Sequence, residues 1–323
     1  MTTPRKPRGS TTVELAPDVQ CLVLSVVNTY LVGPPGAGDR GWALVDTGFG
    51  RSSAEIVAAA GKRFGRGSRP AAILLTHGHF DHVGSAGRLA DLWDAPVYAH
   101  TLELPYLTGR SDYPPPDPTV GGGVMAAVAS RMFPRRGTDL GDRVGPLPED
   151  GSVPGLPGWR WIHTPGHTHG HVSFFRDEDR ILLVGDAFVT VRQESASAVL
   201  TRKQEVSRPP AYFTSDWIAA ERSIQELACL EPAVAGTGHG VPMRGEALRL
   251  ELEALARNFQ ELMPRKGRYV RRPALADESG VVQIPPPVSD PLPIVLAGLG
   301  ATALLGAAAV KGRGAEKRKK AAL

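Results

Sequence analysis

Residues 76–82 read T-H-G-H-F-D-H and place His77, His79, Asp81 and His82, four groups able to bind a metal, within six residues. The segment follows the apolar run 71–75 directly, so it sits at the C-terminal end of a β-strand, where loops commonly carry function. In an extended or looping backbone His77 and His79 can turn toward one ion while Asp81 and His82 turn toward a neighbour. Imidazole and carboxylate are the ligand types that zinc and related metals take. Four groups do not saturate two ions, so further ligands are expected at other strand ends. His167 in TPGHTHGH, Asp186 in LLVGDAF and His239 in AGTGHGVPM each follow a short apolar run and stand beside glycine. Asp186 is the natural bridge, because a carboxylate can give one oxygen to each ion.

The elements that must position these groups alternate. β-rich runs open the chain at 19–32 and 42–45, joined through the turn signal GPPGAGDRG, and short apolar strands are expected at 71–75, 97–99, 172–175, 181–184 and 233–235. Helical periodicity covers 52–64, 83–93, 216–230 and 246–262. This mixture argues for an α/β (α+β) fold of layered sheets covered by helices. Residues 101–158, which include YPPPDP and VGGGV, read as a Pro/Gly-rich insertion bordering the mouth of the site.

With 42% apolar and 22% charged residues over 323 positions, the chain can bury a sizeable core. The balance of 37 Lys and Arg against 33 Asp and Glu leaves only +4, part of it in the basic run 311–320, so a nucleic-acid partner is not expected. Cys21 and Cys229 are too few for a disulfide framework and are expected as buried, reduced thiols. No apolar segment follows the basic N-terminus directly, so no signal peptide is expected and the main domain should stay in the cytoplasm.

Residues 266–291, with the Pro-rich stretch 283–293 at their end, read as a linker. Residues 292–310 are uncharged and long enough for a membrane-spanning helix, and a basic tail, 311–323, follows. Gly298, Thr302 and Gly306 share one helical face, a pattern that permits weak dimerisation through the tail. The expectation is a membrane-anchored protein with a cytoplasmic catalytic domain, although basic residues on both flanks leave the topology unset.

Taken together, HGHFDH followed by His167, Asp186 and His239 resembles the ligand series of the metallo-β-lactamase superfamily, over residues 13–262. The resemblance implies a four-layer αββα sandwich, here spanning 1–265, with the metals at one edge between two sheets. It implies that His77, His79 and His167 hold one divalent ion and Asp81, His82 and His239 a second, with Asp186 between them. Zinc is the expected metal, with manganese or iron as alternatives. Asp46, in LVDTG, matches the superfamily's early aspartate and would steady the ligand loop.

The implied chemistry is attack of a dinuclear metal-bound hydroxide on the ester, thioester or lactone bond of a small molecule, with Asp81 orienting the water. The glyoxalase II and lactonase-like branch is nearest in pattern. Members specialised for β-lactams usually lack the aspartate at the position of Asp186, which speaks against antibiotic hydrolysis. Neither a GxSxG elbow nor a GxxxxGK[ST] loop is present to support another scheme. Three alternatives stay open: phosphodiester hydrolysis on the same site, a mononuclear iron oxygenase oxidising sulfur compounds, and a membrane-tethered metal-binding protein without catalysis. His100 and His163 are expected to be structural, His169 and His171 to support or line the site, and Arg192, Gln193 and Glu194 to form an exposed ion cluster.

Overall fold

Alternation along the strands decides the layering, because successive side chains of a strand point to opposite faces. The computed structural model describes residues 11–120, 132, 134–201 and 203–289. One sheet holds seven strands in sequence order: β1 (Thr11–Ala16), β2 (Val19–Leu24), β3 (Val27–Val32), β4 (Ala43–Val45), β5 (Ala72–Leu74), β6 (Val97–Ala99) and β7 (Val144–Pro146). Neighbours are antiparallel as far as β4 and parallel from β4 to β7. The second sheet runs β12-β11-β10-β9-β8, built from β8 (Trp159–His163), β9 (Val172–Arg176), β10 (Ile181–Gly185), β11 (Val234–Thr237) and β12 (Met243–Arg244).

Three apolar clusters separate four layers. Cys21, Tyr30, Val32, Val45, Leu74, Phe174, Ile181 and Leu183 meet between the two sheets. Their strand neighbours Leu22, Leu31, Leu44 and Ile73 face the helices Ser53–Phe64 and Ala86–Trp93. On the other side Phe175, Leu182 and Val184 pack with the helices Trp217–Cys229 and Gly245–Arg257. Trp42 fixes the first helical layer, stacking on Phe64 at 4.5 Å and meeting Trp93 edge-on at 5.4 Å. The architecture is thus helix, sheet, sheet, helix, with the C-terminal ends of β5, β10 and β11 carrying the loops of interest.

Several sequence expectations are corrected. The β-rich run 19–32 divides into the hairpin β2–β3, turning at Ser25, whose φ is +65°. Residues 101–158 are not purely irregular, since they include the helix Leu104–Leu107 and lend β7 to the first sheet. Residues 266–291 do not behave as a linker throughout. They contain the hairpin β13 (Leu275–Asp277) and β14 (Gly280–Gln283), and the compact unit extends to Pro286. Cys21 is buried, but Cys229 is exposed, because it falls off the face of its helix that buries Ala220, Ile224 and Leu227. The run 292–310 lies outside the described residues. Among the described residues no helix is long and apolar enough to cross a membrane.

Tyr269 anchors the C-terminal segment: it is 2% exposed and its hydroxyl donates to the Pro115 carbonyl at 2.7 Å. Urea unfolding should therefore show a loss of about 3–5 kcal/mol for Tyr269→Ala and about 1 kcal/mol for Tyr269→Phe. No change in either variant would mean that residues 266–286 are a free linker after all.

Candidate metal centre

Just beyond strand β5 comes Thr76, whose N–H and hydroxyl both donate to Asp46, at 2.9 and 2.8 Å. Asp46 itself directly follows β4 with a positive φ of +57°, a conformation that aspartate tolerates better than most side chains. His77 and His79 then lie in non-helical backbone, with His79 at φ −66° and ψ 146°, and the single helical turn Phe80–Val83 follows. The change from extended to helical backbone sends Asp81 and His82 in a different direction from His77 and His79. His167 comes from the loop between β8 and β9, Asp186 follows β10, and His239 follows β11. Gly238 must lack a side chain, because a Cβ there would lie 2.1 Å from Asp186 Oδ1 and 2.6 Å from His82 Cε1.

All seven residues converge. Three overlapping groups have ligand atoms within 4.8 Å of one another: His77, His79 and His167; His77, His82 and Asp186; and Asp81, His82 and His239. His79 Nδ1 is 2.9 Å from His167 Nε2. Asp186 Oδ2 lies 3.2 Å from His239 Nε2, 3.5 Å from His167 Nε2 and 3.7 Å from His82 Nε2. Asp81 Oδ2 approaches His239 Nε2 at 3.5 Å and His82 Nε2 at 4.0 Å. His77 Nε2, His82 Nε2 and Asp186 Oδ1 are sealed from solvent without a hydrogen-bond partner. Buried polar atoms are ordinarily satisfied, and shared coordination of divalent cations would satisfy all three, so the residues present fit such ions.

The electrostatics divide the imidazoles. Burial, reinforced by neighbouring histidines, pushes His77 and His167 well below the ordinary value and His79 down to about 3. For His82 and His239 burial acts the same way, but Asp186 and Asp81 outweigh it and raise both. Burial would raise Asp186, yet His239 and His82 hold its carboxyl well below the usual range.

Bonds to the far ring nitrogens fix how the imidazoles point, as outer partners do around metal ligands. His239 Nδ1 donates to the Val26 carbonyl at 2.7 Å, which turns its Nε2 toward the carboxylates of Asp186 and Asp81. His82 Nδ1 pairs with Asp46 at 2.9 Å, so Asp46 joins the loop and its histidine in one bond network. His77 Nδ1 meets the Thr76 hydroxyl at 3.1 Å. His171 accepts the Asp186 N–H at 2.8 Å on Nε2, while its Nδ1 meets the Thr164 hydroxyl at 2.8 Å, so it supports the carboxylate from behind.

The other candidates stay outside the cluster. His100 and His163 stack at 4.2 Å, and His163 Nε2 donates to the His169 carbonyl at 2.8 Å. His169 Nε2 donates to the Ala274 carbonyl, also at 2.8 Å. Arg192 pairs with Glu205 and Arg208 with Glu194, while Gln193 lines a small cavity beside Val26 and Gly240. Two features were missed in the sequence. Half-buried Phe213 lies 5.0 Å from the His79 ring and Tyr113 4.7 Å from it, while Phe80 meets Phe49 at 5.9 Å and Phe213 at 6.4 Å. Glu103, fully buried, accepts bonds from both the His77–His79 loop and the His167 loop. The aromatics carry no signal at sequence level beyond Phe80, and Glu103 is a lone acid in TLELPY.

Comparison with known proteins agrees with this geometry. A family model described as the metallo-β-lactamase superfamily matches residues 22–239. A Bacillus subtilis protein described as a probable metallo-hydrolase, YflN, is 46% identical over 255 residues, covering 79% of this chain and 96% of the relative. Among solved structures, the metallo-β-lactamase family protein TTHA1429 of Thermus thermophilus is 28% identical, with a TM-score of 0.50, over 77% of this chain and 81% of that one. A β-lactamase domain protein from Burkholderia ambifaria, 22% identical, shares the fold with a TM-score of 0.52 over 80% and 79% of the two chains.

His82 and His239 must be neutral to bind metal, yet both have raised pKa values in the metal-free fold. A raised histidine contributes stability that is complete below the unfolded value near 6.5 and is lost as pH rises through the folded value. Titrating zinc into metal-free protein at pH 7 should accordingly release protons, measured calorimetrically in buffers of different ionisation enthalpy. Proton uptake, or none, would contradict this charge distribution.

Proposed function

Because this chain belongs to the metallo-β-lactamase superfamily, we propose that its seven-residue cluster binds two divalent cations, zinc foremost, and hydrolyses an ester, thioester or lactone with an apolar substituent. The chain is a metallo-hydrolase at the level its family and its similarity to YflN establish. The observation that carries the finer reading is the set of orphaned buried atoms, His77 Nε2, His82 Nε2 and Asp186 Oδ1, facing one another from both sheets.

When bound, the ions supply Lewis acidity that acidifies water and polarises the substrate oxygen. His77, His79 and His167 would hold one ion and Asp81, His82 and His239 the other, with Asp186 shared. Asp81 is the carboxylate that solvent reaches, its side chain 15% exposed against 3% for Asp186. It takes the proton as water adds to the carbonyl carbon, then passes it to the departing alkoxide or thiolate when the C–O or C–S bond breaks. The products are a carboxylic acid and an alcohol or thiol; a lactone yields the hydroxy acid.

Two observations favour a neutral carbonyl substrate over a phosphodiester anion. Among the described residues, no Lys or Arg forms an ion pair with any of the seven. Half-buried Phe213 lies against the His79 ring, and Phe80 and Phe49 continue the row of rings from it, an apolar neighbourhood that suits an acyl chain or aryl group.

Protein loaded with zinc or manganese, assayed on carboxylic esters, thioesters, lactones and phosphodiesters, tests the reading. Turnover is expected on the first three, and His79→Ala and Asp186→Ala should each lower kcat/KM about 100-fold or more. Turnover on phosphodiesters alone would overturn the substrate assignment. One iron per chain with oxygen consumption on a persulfide would replace hydrolysis by oxidation.

A further inference from the structure

Glu103 lies just after β6, in a stretch whose sequence suggests no chemistry, and its side chain is wholly buried. No cationic side chain pairs with it among the described contacts. Instead four neutral donors converge on its two oxygens. Oε2 accepts the Gly78 N–H at 2.9 Å and the Tyr113 hydroxyl. Oε1 accepts the Thr168 hydroxyl at 2.6 Å and the Gly170 N–H at 3.0 Å. Gly78 separates His77 from His79, and Thr168 follows His167 directly. Each oxygen therefore grips one of the two loops that supply the first ligand triad.

The second triad is oriented by other groups. His82 leans on Asp46, and His239 leans on the Val26 carbonyl. Glu103 bonds to neither histidine nor to their immediate neighbours. The contact between Glu103 and the His167 loop is also sterically tight, since a Cβ on Gly170 would come within 2.8 Å of Glu103 Cγ and of its backbone nitrogen. Tyr113, which donates to Oε2, lies against the His79 ring at 4.7 Å.

We propose that Glu103 is the positioning residue of the first cation site: its carboxylate bridges the His77–His79 and His167 loops and sets the metal affinity of that site alone. The proposal rests on the reading that the cluster binds two ions. Burial raises the Glu103 carboxyl and its four donors act against that; in its charged form it places negative charge next to the site, which favours a dication there. Glu103→Gln keeps the shape but removes the charge and turns one oxygen into an amide nitrogen. Whichever way the amide faces, it meets a backbone N–H, that of Gly78 or of Gly170, which cannot reverse its role. One loop then loses its tether.

The test is metal titration of the full, metal-free chain with zinc against a chromophoric chelator, alongside circular dichroism and thermal unfolding of the metal-free proteins. Wild type should bind two ions. Glu103→Gln should weaken one of them about 10- to 100-fold, the range for loss of an outer partner. The ion it keeps should be the one that His239→Ala loses. Tyr113→Phe, which removes one donor and leaves the carboxylate, should weaken the same ion by a smaller factor, and it serves if Glu103→Gln does not fold. Equal weakening of both ions in these variants, or unchanged affinities with only lowered metal-free stability, would overturn the proposal. Failure of the wild type to bind two ions would instead overturn the two-ion reading itself.

Discussion

Asp186 has to keep its charge where water does not reach. The residue is 2% exposed, and its carboxylate stands among imidazoles of three different loops, at 3.2 to 3.7 Å from His239, His167 and His82. An isolated buried carboxylate would be strongly disfavoured, so the surroundings must supply positive charge, as protons on His82 and His239 or as cations. The rest of the site follows from meeting that demand with groups drawn from both sheets. Because β10 and β11 are parallel and end at the same edge, Asp186 and His239 emerge side by side. The β4–β5 pair is also parallel, and it delivers Asp46 and the HGHFDH loop to the facing edge.

The two sheets must stay in register for this to hold, and β3 provides the link. Tyr30 donates to the Thr237 carbonyl at 2.6 Å, and Asn28 Nδ2 donates to Thr237 and Gly240 carbonyls at 2.8 and 2.7 Å. These bonds from the first sheet secure the loop that carries His239 in the second. Asp46 does similar work within the first sheet, bonding the Thr76 backbone and the His82 ring. Packing of alternate strand residues between the layers thus positions the loops, and buried polar bonds then set the ring orientations. That order, apolar scaffold first and directed bonds second, fits a site whose ligands are scattered from residue 77 to residue 239.

The ligand set was legible in the sequence because four of its members fall within six residues and the other three follow apolar runs beside glycine. Strands such as β6 and β10, and the helix Ser53–Phe64, announce themselves through uniform apolarity or helical period. What the sequence hid depends on partners far along the chain. Glu103 is an ordinary acid in TLELPY until Gly78 and Gly170 are brought to it. β7 is a three-residue strand, VGP, whose pairing with β6 no local pattern signals. The hairpin β13–β14 sits between arginines and prolines that read as an open linker, and it is held by tertiary bonds such as Val281 N–H to Ser111. His171 looked equal to His169 in TPGHTHGH. Only the fold shows that one braces Asp186 and the other reaches Ala274.

The central claim is that seven side chains from both sheets enclose a pair of cations. Anomalous diffraction from crystals of the zinc-loaded protein, recorded on both sides of the zinc absorption edge, tests it most directly. The account predicts two peaks, one against His77, His79 and His167 and one against Asp81, His82 and His239, with Asp186 reaching both. A single peak, or zinc bound elsewhere with the cluster empty, would contradict it.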